Sequence, residues 1–244
     1  RAGAGAARML WLRYRLIAAE LRALGIDGNC APVADIAGPR THPFLRNRCY
    51  GTDPEGVEKN ARAVAEGLVA GGVLPVLKHI PGHGRATRDS HAELPVVETG
   101  EAALHATDFA PFKALADLPF AMTAHVVYRA LDPEPATISA RVIGLIRKEL
   151  GFSGVLMTDD ISMGALAGDV GSLSRSARAA GCDIVLHCNG DLAEMEAVAA
   201  AAGTLSGDSE MRATRALASR RPPEPLDIRA AEAELRALLA GSSG

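Results

Sequence analysis

Thirteen residues, "HIPGHGRATRDSH" from His79 to His91, hold three histidines and an aspartate, and a lysine, Lys78, stands directly before them. His79 and His83 have the i, i+4 spacing of a helical metal site, but Pro81 and Gly82 between them preclude the helix that would put both rings on one face. A loop could still gather His79, His83 and His91, although no Glu lies between them to act as a base. Asp89 and His91 are two apart, close enough for the carboxylate to orient and charge-support the imidazole for proton transfer near neutral pH. Solvated turn residues are the bland alternative.

Asp159 ends the apolar run "GVLMTDD", which holds its carboxylate in a fixed place. A fixed carboxylate facing a proton donor is what glycoside cleavage by double displacement requires: one group attacks the anomeric carbon, the other protonates the leaving oxygen and then activates water. Asp159 and Asp160 are equally suited to capping the next helix, and one can cap while the other reacts. Lys78 and Arg48 are cationic donors able to grip hydroxyls or carboxylates, or to form a structural ion pair with Asp35. His125 suits a pocket lining or a satisfied core position.

The segments carrying these residues alternate. Helices are predicted over 8–24, about 53–70, 101–117, from Ser139 to just before Gly151, and over 172–180. Strands are predicted in "GIDGNCAPVADI" ending near Asp35, "GVLPVLKHI", "PFAMTAHVVY", "GVLMTDD" and "CDIVLHCN". Near-continuously apolar strands, each followed by a helix, imply parallel strands buried on both faces, as in α/β barrels and doubly wound sheets. No G-x-G-x-x-G follows the first strand, which weighs against dinucleotide binding. Asp35, Lys78 with His79, His125, Asp159 with Asp160, and Asn189 all fall at the C-terminal ends of successive strands. In a parallel barrel those ends converge on one mouth, where chemistry sits.

Bulk properties bound the function. The chain has 244 residues, 48% hydrophobic and 23% charged, ordinary for a globular protein with a sizeable core. A net charge of −3 argues against nucleic-acid binding. No apolar run approaches a membrane span. Cys30, Cys49, Cys182 and Cys188 are scattered without zinc-finger spacing and read as buried free thiols in a reducing compartment. "SRRPPEPLD" (219–227) is the clearest linker, dividing a catalytic unit at 1–218 from a C-terminal linker and helix at 219–244.

Together "KHIPGHGRATRDSHAELP", "APVADI", "TAHVVY", "ELGFSGVLMTDDISM" and "AAGCDIVLHCN" resemble, in order, the blocks of the bacterial β-N-acetylhexosaminidases of glycoside hydrolase family three. The first is similar to that family's K-H-F-P-G-H-G-x4-D-S-H signature, and the match runs from about residue 10 to about 200. The resemblance implies a (β/α)8 TIM-type barrel without metal or organic cofactor. It implies Asp159, not Asp160, as nucleophile, His91 as acid/base, Asp89 as its partner on a mobile loop, and Arg48, Lys78 and His79 as sugar contacts. The implied activity is retaining hydrolysis of terminal β-linked N-acetylglucosamine from cell-wall fragments, by a monomer in the cytoplasm acting on a small saccharide or muropeptide, away from nucleic acid and membrane. A phosphorylase on the same sugar and a non-catalytic sugar-binding remnant are the competing readings. Three strand–helix units and a D-x-E-G-G-x-V-x-R segment of the family have no counterpart here. About five of eight units are therefore expected, with weak or no turnover by these 244 residues alone.

Overall fold

The computed structural model describes residues 5–241. Its main sheet is built from β1 (Gly28–Asn29), β2 (Leu74–Ile80), β4 (Phe120–Thr123), β6 (Val155–Asp160) and β7 (Ile184–Leu186), in that spatial order and all parallel. The order never reverses, so each strand is laid beside the preceding one after a helical crossover. A doubly wound sheet would reverse at a switch point; an unreversed order is the wall of a barrel. This is a curled five-stranded α/β half-barrel, as the alternation of elements predicts.

The helices are α1 (Ala6–Ala23), α2 (Pro43–Arg46), α3 (Pro54–Ala70), α4 (Glu101–Ala106), α5 (Ala110–Ala114), α6 (Ala140–Lys148), α7 (Val170–Ala180), α8 (Leu192–Ala202), α9 (Gly207–Ala218) and α10 (Ile228–Gly241). Their starts follow local chemistry. Asp53, Ser139, Asp169 and Asp191 accept hydrogen bonds from Gly56, Val142, Ser172 and Glu194 amides at 2.8, 3.0, 2.8 and 2.9 Å, satisfying donors that a helix N-terminus leaves free. The main core lies between the sheet and the helices outside it, with Leu77, Ile80, Phe109, Phe112, Phe152 and Leu156 fully enclosed. Helix α1 lies on α3 at backbone contact: a Cβ on Gly67 would stand 2.5 Å from the Trp11 carbonyl. Below the strands, Asp183 accepts from Arg147, Arg212, Ser209 and the Leu156 amide, tying α9 to the sheet.

Three elements and the burial of the cysteines differ from the sequence-based expectation. The first strand is regular only at Gly28–Asn29; beyond it Pro32 has no amide to donate, and the chain follows β2 through separate bonds such as Ala34 N to Lys78 O, 2.7 Å. The 101–117 helix is two short helices, because Pro111 cannot donate to Thr107 and the chain turns at Thr107 instead. The third strand stops at Thr123; Val127–Tyr128 forms β5, which pairs with β3 (Val96–Val97) in a separate two-stranded ribbon. Of the cysteines, all free, only Cys182 is buried; Cys30 and Cys188 are exposed. Residues 219–227 have no regular structure but lie against the body: Glu224 N donates to Ala70 O at 2.8 Å and Arg220 pairs with Asp27 at 2.7 Å. No helix among the described residues is long and apolar enough to cross a membrane.

Candidate active site

Asp35 is the hub of the strand ends. It is completely buried, and its carboxylate accepts from His79 Nδ1 at 2.7 Å, from the His83 amide at 2.6 Å and more weakly from the His79 amide. Burial pushes its pKa up, but the His79 ring and these donors pull it further the other way, so it lies below the usual carboxylate value. With Nδ1–H held by Asp35, the His79 ring turns its other nitrogen toward Asp159, Nε2 to Oδ2 being 3.8 Å. Asp35 thereby fixes which edge of His79 faces the mouth. The sequence marked Asp35 as a strand-end residue without assigning it a role in the site; its signal was a lone carboxylate closing the apolar run "APVADI".

Asp159 stands at the C-terminal end of β6 with its side chain 19% exposed. Burial raises its pKa, while His79, His125, the Asp160 amide and Lys78 lower it and prevail, leaving an anion at neutral pH. Neither Asp159 nor Asp160 caps the following helix, since Asp169 does so. Asp160 Oδ1 instead accepts from the Ser162 amide and hydroxyl and from the Cys188 amide, closing the turn after β6 and fastening it to the end of β7. The two neighbours thus divide: one carboxylate is committed to the backbone, the other faces the mouth.

Lys78 is largely enclosed at the end of β2, and its pKa is lowered by burial first and by the Arg48 charge second. The alternative of a structural ion pair with Asp35 does not arise, because His79 and His83 occupy that carboxylate. Among the described residues neither the Lys78 ammonium nor the Arg48 guanidinium has a side-chain hydrogen-bond or ion-pair partner, so both retain donors for a polar ligand.

Asp89 and His91 pair as their spacing predicts. Asp89 Oδ1 accepts from the His91 amide at 2.9 Å and from Nδ1 at 2.7 Å, which leaves Nε2 as the ring's free edge. Burial pushes the Asp89 pKa up, but the bonds from the His91 amide and ring together prevail and leave it lowered. The His91 side chain is 60% exposed, and its ring meets Phe44 edge-on at 5.4 Å. The loop is docked on the turn after β6: Ala165 N donates to Ser90 O and Gly164 N to His91 O, both at 3.1 Å. That turn is the one Asp160 closes, so the dyad's support and Asp159 share one short piece of chain.

Other strand-end residues are structural. His125 is fully buried, Nε2 donating to the Asp160 carbonyl at 3.0 Å and Nδ1 accepting from Thr137 at 2.7 Å, the satisfied core histidine of the two readings. Asn189 is exposed and shapes the turn into α8 through Asp191 and Glu194. The three loop histidines have separate partners, Asp35, Ser90 and Asp89, rather than one common centre. The arrangement can hold a polar ring on cations and imidazole, present a carboxylate to it, and place an oriented imidazole on an adjacent loop.

A family model for the glycosyl hydrolase family 3 N-terminal domain matches residues 13–219. A curated "Beta-hexosaminidase" of Alkalilimnicola ehrlichii is 45% identical over 180 residues, covering 71% of this chain and 51% of its own length. The chain spans about half the length of this and another curated "Beta-hexosaminidase", that of Bordetella avium. Among solved structures, native NagZ of Neisseria gonorrhoeae superposes with a TM-score of 0.82 at 31% identity, covering 97% of this chain and 70% of that one. A glycoside hydrolase family 3 β-N-acetylglucosaminidase of Paenibacillus sp. str. FPU-7 gives 0.77 at 34% identity, covering 95% and 44%.

Proposed function

This chain belongs to glycosyl hydrolase family 3, and on that premise we propose that the protein carrying it is a retaining exo-β-N-acetylglucosaminidase. The observation that carries the reading is the pair of opposed functions at one mouth: an ionised Asp159 on a rigid strand end, and the Asp89-oriented His91 on a loop docked beside it. Asp159 attacks the anomeric carbon as His91 gives a proton to the leaving oxygen. In the second half His91 takes a proton from water, which displaces Asp159 and restores the configuration. Arg48, Lys78 and His79 hold the sugar. Lys78 and Arg48 repel one another when the site is empty, so an oxygen-rich ring between them gains what water otherwise supplies.

The substrate in this reading is a terminal β-linked N-acetylglucosamine on a peptidoglycan-derived fragment, processed in the cytoplasm. Names of the relatives support the sugar. Hydrolysis of a chromogenic β-N-acetylglucosaminide, measured beside the Asp159→Asn variant, is the test. Turnover lost in the variant upholds the nucleophile; equal turnover in both rejects it. Release of sugar 1-phosphate only when phosphate is present would reassign the reaction to phosphorolysis.

A further inference from the structure

Between Asp89 and His91 stands Ser90, and it faces the other way. Ser90 is 2% exposed, while the side chains on either side of it are 34% and 60% exposed. Its hydroxyl meets His83 Nε2 at 3.1 Å. We propose that His83 is a positioning residue for catalysis: it latches the acid/base loop by holding Ser90 inward, which forces Asp89 and His91 outward together. The inference rests on the reading of His91 as acid/base.

His83 is built to be immovable. It is 1% exposed, its own amide is bonded to Asp35 at 2.6 Å, and its ring packs on His79 and Phe44 at 5.5 and 5.9 Å. Burial, with help from the His79 charge, pushes its pKa down to about 4, so it is uncharged at working pH and has one N–H to give. Nδ1 finds no protein partner. An orphaned buried N–H costs more than a buried bare lone pair, so the proton belongs on Nε2, which donates to Ser90 Oγ. Asp35 therefore anchors two things: the His79 ring, which faces Asp159, and the His83 backbone, which carries the latch. Residues 89–93 form one hydrogen-bonded turn, the Asp89 carbonyl accepting from the Ala92 and Glu93 amides at 3.0 Å, so a serine held inward within it sets the direction of Asp89 and His91 on either side. The carbonyls of Ser90 and His91 supply the second fastening, onto Ala165 and Gly164.

The test uses the full-length protein that carries this chain. Ser90→Ala removes the acceptor, His83→Phe removes the donor but keeps a ring, and His83→Gln keeps a donor near the same place. Displacing the acid by about an ångström is expected to lower kcat by roughly 10- to 100-fold for glycosides with poor leaving groups. For those substrates KM should change little, whereas for dinitrophenyl glycosides, whose leaving group needs no proton, kcat/KM should lose far less even though kcat, set by the base-assisted second half, still falls. Independently of turnover, trypsin should cut after Arg88 several-fold faster in Ser90→Ala and His83→Phe, with protection restored in His83→Gln. Ser90→Ala with wild-type leaving-group dependence and wild-type protection overturns the latch. Should the wild-type protein and His91→Ala behave alike on every glycoside, the acid/base reading fails instead, and the trypsin arm still decides whether His83 holds the loop.

Discussion

At the scale of the residue, the site works by giving each polar group one duty. Asp35 is saturated by fixed donors and Asp160 Oδ1 takes three, which leaves Asp159 with a single backbone bond and an open edge. Asp159→Asn is expected to reduce kcat on a β-N-acetylglucosaminide by about 10³-fold or more, since the amide is no nucleophile. Asp35→Asn should act differently. It weakens the hold on His79 and His83 without touching substrate, so loss of activity should come with a shifted imidazole environment, seen in His79 ring resonances by NMR. Unchanged resonances in an inactive Asp35→Asn protein would contradict the positioning role.

At the scale of the element, two contacts depend on a missing side chain. Gly164 lies under the loop that carries Asp89 and His91, where a Cβ would stand 2.9 Å from the His91 carbonyl and 3.1 Å from that of Ala92. Gly164→Ala is expected to push the loop outward, lowering kcat while leaving the melting temperature nearly unchanged, because the loop adds little to the core. Gly67→Ala should do the reverse. Its Cβ would run into the Trp11 carbonyl at 2.5 Å, so α1 must lift from α3, destabilising the fold by about 1–3 kcal/mol as over-packed contacts do. Denaturant unfolding of the two variants separates the cases: equal losses of stability would refute the distinction.

For the molecule as a whole, acid stability follows from the direction of the shifts. Asp35, Asp159 and Asp183 titrate below 3.8 when folded, so their stabilising contribution is full above that value and disappears as pH falls through the lower folded ones. His83 adds an earlier loss. The unfolded chain takes its proton near 6.5 and the folded one only near about 4, so acid favours unfolding across that interval. The melting temperature should decline from roughly pH 6.5 downward and more steeply below about pH 4; a flat profile would disprove this. The Asp183 centre couples distant segments, with its side chain wholly enclosed by Arg147 and Arg212 at 2.7 Å. Asp183→Ala leaves both cations without their counterion and should cost about 3–5 kcal/mol in denaturant unfolding.

Local patterns in the sequence suffice for the fold class and for naming candidates at the strand ends, though not for the roles of Asp35, His83 and Ser90. Apolar runs broken by polar strand ends are local patterns, and so is the two-residue spacing of Asp89 and His91, whose pairing needs only the loop between them. Capping by Ser139 and Asp53 is equally local. What tertiary structure decided was which of two like residues does which task. Asp159 and Asp160 are adjacent and chemically identical; only the approach of the Ser162 and Cys188 amides commits one to the backbone. His79, His83 and His91 differ because Asp35 reaches the first from 44 positions away and Ser90 closes on the second. The break at Thr123 likewise reflects partners remote in sequence, since a strand continues only where a neighbour accepts its hydrogen bonds, whereas the break at Thr107 follows locally from Pro111. Spacing along the chain names candidates, and long-range contacts assign their protons.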